Sequence, residues 1–308
     1  MTRVMGVVGI FLAVIIIPAM AHSQSFSDPS FPISITVGGT SNVGNTQYSE
    51  NTTIAVADFD YATTRALYLG TSLPIKLGDV ATFRLAGSIT IPHTEKVEQL
   101  TPPPFRFHVR DWQGETTWGT LEGLLEYPVG LGVSFVAGFR WDSWQTSFTN
   151  PSNVYLFYPS ASTDTADLTL NSYLPLLGIV STQGGITVGA MGFPVLRGDM
   201  EVHESRNLFA SNLISESSNF GEGYFVEVFT EYSTPIGLIA HTGFDGSASL
   251  FLKYNRLKAI GTNTVTQKFS GGGGAFEREI PFSFRRDLLV LGIQATINFS
   301  IPQLRSFL

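Results

Sequence analysis

The chain has no cysteine in its 308 residues. That absence excludes disulfides, a thiolate nucleophile, iron–sulfur clusters, cysteine-ligated zinc and an acylated cysteine as a lipid anchor. Charge is scarce as well. Asp, Glu, Lys and Arg make up 14% of the residues, against roughly 25% in soluble domains. The formal net charge is −7, and the few Lys and Arg are scattered, so no nucleic-acid partner is expected. Long apolar runs are missing beyond residue 25, where no window approaches the roughly 20 apolar residues of a membrane-spanning helix. There is no Gly-x-Ser-x-Gly elbow, phosphate loop or dinucleotide fingerprint. The run Gly271 to Gly274 reads as a loop tip. Neither a cofactor nor a metal is expected.

Apolar residues are nonetheless abundant, with 24 Phe and 12% aromatics overall. A chain that is apolar without helix-like runs fits two-residue alternation, in which lipid-facing and lumen-facing positions interleave. Residues 289–301 show it most clearly. Leu289, Leu291, Ile293, Ala295, Ile297, Phe299 and Ile301 share one face of a strand. Val290, Gly292, Gln294, Thr296, Asn298 and Ser300 share the other. A strand needs about 9–11 residues, tilted near 45°, to cross a bilayer, and this one is long enough. Residues 132–142, 222–232 and 238–254 repeat the pattern. In the first, Val133, Phe135, Ala137, Phe139 and Trp141 oppose Ser134, Val136, Gly138, Arg140 and Asp142. Tyr127, Trp141, Tyr232 and Tyr254 fall near strand ends on the apolar face, where interfacial aromatic girdles belong.

The N-terminus reads as a secretory leader over 1–21. Arg3 is its positive region, 4–17 its apolar stretch, and Ala19-Met20-Ala21 its cleavage site before His22. Residues 22–30 form a short extension, 31–302 the strand-bearing domain and 303–308 a tail. Proline recurs near strand ends at Leu73-Pro74, Tyr127-Pro128, Leu174-Pro175, Thr234-Pro235 and Ile301-Pro302. Gly78, Gly130, Gly178 and Gly237 follow the first four. Proline cannot donate to a ladder and glycine suits tight turns, so these sites predict short turns on one side of a sheet. The opposite connections, 41–54, 93–112, 150–165, 198–221 and 259–279, are longer and polar, and are expected to be loops. Four short turns plus a strand at each end give ten strands, with eight or twelve as alternatives. Their expected positions are 31–40, 55–76, 80–92, 113–128, 132–148, 166–176, 184–197, 222–235, 238–257 and 281–301.

These features resemble bacterial outer-membrane β-barrel proteins as a class, over everything after the leader. Gly292 followed by alternating residues through Ile297 to Phe299 looks like their C-terminal assembly signal. One departure is that the chain continues through Pro302 to Leu308. The resemblance implies an all-β antiparallel transmembrane barrel with short periplasmic turns and long extracellular loops. It also implies the outer membrane of a Gram-negative-type bacterium, with outer-membrane lipid and the barrel assembly machinery as partners.

The inward faces carry Arg84, Glu122, Glu126, Arg140, Asp142, Glu227, Glu231, His241, Asp245 and Lys253. Charges in a narrow lumen must pair or stay hydrated. They form either a salt-bridged core that shuts the barrel, or a charged ring that selects solutes. The first expectation is thus a barrel without enzymatic activity, either a narrow channel or a structural, surface-display barrel. A second pattern lies at the barrel mouth, with Asp58 and Asp60 on one segment and Glu201 and His203 on another. Two carboxylates with a His–acid pair resemble the omptin proteases, which are also ten-stranded. That resemblance implies a His activating water for peptide hydrolysis. The omptin pair is Asp-x-His, whereas this chain has Glu201-Val202-His203. A solvated acidic loop, or a loop that binds a surface ligand, accounts for the same residues.

Overall fold

The computed structural model describes residues 30–42, 46–50, 58–61, 65–77, 80–91, 93–100, 108–152, 165–195, 197–206, 212–220, 222–236, 246–269 and 276–300. The leader, most of the 22–30 extension, the tail, Pro302, His241 and Asp245 lie outside them. Fifteen strands are described. They are β1 (Ser30–Asn42), β2 (Thr46–Glu50), β3 (Asp58–Tyr61), β4 (Arg65–Leu77), β5 (Ala81–Thr90), β6 (His93–Leu100), β7 (His108–Gly130) and β8 (Val133–Ser152). There follow β9 (Thr165–Gln183), β10 (Ile186–Pro194), β11 (Arg197–Arg206), β12 (Asn212–Phe220), β13 (Glu222–Ile236), β14 (Gly246–Phe269) and β15 (Phe276–Ser300).

All fifteen belong to one antiparallel sheet, and it closes on itself at two heights. In the lower storey the ring runs β1, β4, β5, β7, β8, β9, β10, β13, β14, β15 and back to β1. In the upper storey it runs β15, β2, β3, β6, β7, β8, β9, β11, β12, β14 and back to β15. Each ring has ten strands among the described residues. Closure leaves no edge of these rings unpaired, the condition a strand-built structure must meet in lipid.

The storeys differ on the outside. Ile35, Val37, Leu69, Phe135, Ile179, Val226, Leu250, Leu291 and Ile293 are large apolar side chains left exposed, and all belong to the lower storey. They form the belt that a lipid-embedded barrel presents. The short turns lie below the belt. Gly184 and Gly185 join β9 to β10 with φ of 58° and 82°, the positive pair that a two-residue hairpin needs. Gly130, Leu131 and Gly132, all at positive φ, join β7 to β8.

Two expectations change. Leu174-Pro175 and Gly178 are not a turn, because β9 runs straight through them to Gln183. Pro175 pairs with Phe139 of β8 on one side. On its other side β9 passes from β11, last paired at Tyr173, to β10, first paired at Leu177. The residue without an amide hydrogen therefore sits where the ladder is interrupted anyway. Gly178 is required by close approach, since a Cβ there would lie 2.4 Å from the Ala190 carbonyl oxygen. The second change concerns the polar connections. Residues 46–50, 93–100, 108–112, 198–206, 212–220 and 260–269 are strand, not loop, and they build the upper storey.

Candidate functional site

Alternation aims one face of every lower strand into the lumen, and two tiers of charge meet there. In the lower tier Arg140 of β8 reaches both walls. Its Nε donates to Glu122 Oε2 of β7 at 2.9 Å, and its Nη1 donates to Glu227 Oε2 of β13 at 2.9 Å. Lys253 Nζ of β14 lies 3.3 Å from Glu227 Oε1. The Arg140 guanidinium also lies over the Phe225 ring, 4.7 Å from its centroid. Beside this tier Arg84 Nε is 3.4 Å from Glu126 Oε1. Glu231 lies lower on β13, half-buried and paired in register with Thr187 and Phe251.

The upper tier spans the whole diameter. Arg286 of β15 donates to Asp142 Oδ1 and Oδ2 of β8 at 2.7 and 2.9 Å. These strands stand five places apart in the ten-strand ring. Trp118 Nε1 donates to Asp142 Oδ2 at 3.0 Å. The Arg286 guanidinium lies 5.0 Å from the Trp118 ring and 5.5 Å from the Trp144 ring. Both Arg286 and Asp142 are 0% exposed. Above them Trp144, Phe284, Trp112, Phe148, Leu170 and Leu257 continue as a packed core. Below the lower tier the lining turns to hydroxyls, with Ser34 on Thr296 and Ser233 on Ser249 at 2.9 and 2.6 Å; a third such pair, Ser88 on Thr120 at 2.7 Å, lies at the level of Asp142. A polar cavity of about 80 Å³, lined in part by Thr36, Tyr68, Glu122 and Lys253, opens beside Arg140.

The structure thus brings Arg84, Glu122, Glu126, Arg140, Asp142, Glu227 and Lys253 into the lumen, each beside a partner of opposite charge. Arg286, Trp118 and Trp144 belong with them and are absent from the sequence expectations. A signal for Arg286 exists, because it shares parity with Gly292 and Gln294 on the inward face of the last strand. Gly292 itself faces inward beneath Phe251, whose ring would lie 2.7 Å from an added Cβ. Ile297 pairs with Ile33, and Phe299 with Phe31, where β15 closes the ring onto β1.

The mouth residues sit in the upper storey. Asp58 and Asp60 are on β3, in register with Ser49 and Gln47 on one side and with Leu100 and Glu98 on the other. Glu201 and His203 are on β11, in register with Thr169 and Asp167 of β9 and with Ser217 and Ser215 of β12. The strands β3 and β11 stand five places apart in the upper ring, on opposite sides. Nearby on β6, Lys96 Nζ lies 3.0 Å from Asp111 Oδ2. That hydrogen bond raises the Lys96 pKa above its ordinary value. Among the described residues no group of three His, Asp or Glu is placed to hold a metal ion.

No family model matches the chain, and no curated protein matches its sequence. Solved structures do match. The outer membrane protease OmpT from Escherichia coli aligns at a TM-score of 0.63 and 9% identity, over 89% of this chain and 99% of that one. The translocator domain of the autotransporter NalP from Neisseria meningitidis aligns at 0.36 and 8% identity, over 90% and 91%. The outer membrane protein OprG from Pseudomonas aeruginosa aligns at 0.33 and 9%, over 89% and 98%. The ring closure, the apolar belt and the match to a ten-stranded barrel together show that this chain has the fold of a bacterial outer-membrane β-barrel.

Proposed function

We propose that the protein is a closed outer-membrane barrel, a lipid-embedded scaffold that carries a strand-built rim outside the cell, and not a solute channel. One observation supports this most directly. Arg286 and Asp142 cross the full diameter at 0% exposure, with Trp118 and Trp144 against them. A barrel of about eight strands is just wide enough for side chains to fill, and in these ten-strand rings long Arg and Trp side chains meet across the lumen. The reading includes outer-membrane lipid as partner of the belt. It includes the assembly machinery as receptor for the terminal strand, after the leader is removed. Refolded protein in a planar bilayer is expected to give no discrete conductance steps. Steps whose reversal potential shifts in the Glu227→Gln/Glu231→Gln variant would overturn the proposal, because they would place those carboxylates in an open path.

A second reading is a surface hydrolase of the omptin kind, with Asp58, Asp60, Glu201 and His203 as its site. The observation favouring it is that β3 and β11 face each other across the rim of a barrel similar to OmpT. On this reading, purified protein cleaves a mixed peptide library and His203→Ala lowers the rate by at least about 100-fold. Intact peptides with the wild type, or equal cleavage by the variant, would dismiss it.

A further inference from the structure

The outer face of β13, β14 and β15 carries a charged cluster directly above the apolar belt. Asp287 is at its centre and is 2% exposed, although it points to the same side as Leu289, Leu291 and Ile293. It is covered by its own partners. Tyr254 Oη donates to Asp287 Oδ1 at 2.7 Å, and Arg285 Nε donates to Oδ2 at 2.9 Å. Arg256 Nε donates to Oδ1 as well. Tyr224 hydrogen-bonds to Arg256 in turn. Lys258 is in register with both Tyr224 and Arg285. The two guanidinium side chains stay well exposed, Arg256 at 37% and Arg285 at 47%. Immediately below are Val226, Leu252 and Leu291, all exposed.

The cluster holds three cations and one carboxylate. Asp287 cannot neutralise it, but it does fix two guanidinium groups side by side, with Arg285 held along its Nε and Nη2 edge. The remaining Nη donors and the Lys258 ammonium are left for an anion. Guanidinium forks match phosphate geometry, and paired tyrosines mark the depth of lipid headgroups. The position, above the belt and at the end away from the short turns, is that of outer-leaflet headgroups. We propose that Arg256, Arg285 and Lys258 bind the phosphate of an outer-leaflet lipid headgroup, on a platform ordered by Asp287. This rests on the reading of the lower storey as membrane-embedded.

The test uses the full refolded barrel in phosphatidylcholine nanodiscs, with and without diphosphoryl lipid A, and separately with inorganic phosphate. Diphosphoryl lipid A is expected to raise the wild-type unfolding temperature by about 5 °C. The triple variant Arg256→Gln/Arg285→Gln/Asp287→Asn removes both guanidinium groups without stranding the carboxylate, leaves Lys258 alone, and should lose most of the rise. Lys258→Glu leaves every bond to Asp287 in place and should lose about half of it; it decides the matter if the triple variant does not fold. An equal rise in both variants overturns the proposal. An equal rise with inorganic phosphate overturns the assignment to lipid. Failure of the wild type to enter nanodiscs at all overturns the membrane reading beneath it.

Discussion

Arg140→Met lowers the unfolding free energy of the refolded barrel by about 3–5 kcal/mol, the cost of breaking a buried ion pair by removing one partner. Arg140 is 2% exposed and serves two carboxylates, Glu122 and Glu227. Without it Glu227 still has Lys253 at 3.3 Å. Glu122 loses the guanidinium that holds it directly, so the penalty concentrates there. Adding Glu122→Gln to Arg140→Met should therefore recover more than adding Glu227→Gln. The measurement is the urea midpoint in detergent micelles for the three variants and the wild type. An unchanged midpoint for Arg140→Met would mean that the lumen is hydrated at this level, and would count against the closed barrel as well.

Asp142→Ala has an effect of similar size for the opposite reason. It strands a cation. Arg286 has no exposed surface, and Asp142 supplies both of its short hydrogen bonds. The indole of Trp118 loses its acceptor in the same step. We expect a loss of about 3–5 kcal/mol and a shifted tryptophan emission spectrum in the folded state, because Trp118 and Trp144 flank the guanidinium. The double variant Asp142→Ala/Arg286→Met removes both charges and should recover most of the loss. If the double variant is no more stable than Asp142→Ala, the tier acts by packing and not by charge.

Much of the lower storey was legible because lipid outside and polar groups inside impose opposite demands on alternate residues. The parity of 289–301, 132–142 and 222–232 marked the inward faces, and with them most of the charged lumen. The upper storey was not legible for a complementary reason. Its sequence does not alternate apolar with polar, so a segment such as Thr262-Asn263-Thr264 of β14 has no greasy face to announce a strand. Pro175 misled because a proline marks a missing donor without saying which ladder is interrupted. Pairing was also out of reach. Arg140 and Glu227 are 87 positions apart, and Asp142 and Arg286 are 144 apart, so parity aims each side chain inward but names no partner.

The two storeys share only some of their strands. β7, β8, β9, β14 and β15 run through both, whereas β1 gives way to β2, β4 to β3, β5 to β6, β10 to β11 and β13 to β12. The continuous strands form two pillars on opposite sides, and the interrupted ones fill two panels between them. Inserting one residue into a paired strand turns every side chain beyond it to the other face. In a pillar that error would carry from the rim into the membrane, exchanging lipid-facing for lumen-facing residues on the way. In a panel it stops at the break. A one-residue insertion is therefore expected to cost more stability in a pillar than in the panels that carry Asp58 and Asp60 on one side and Glu201 and His203 on the other, unless a local bulge absorbs it as in β7 and β8.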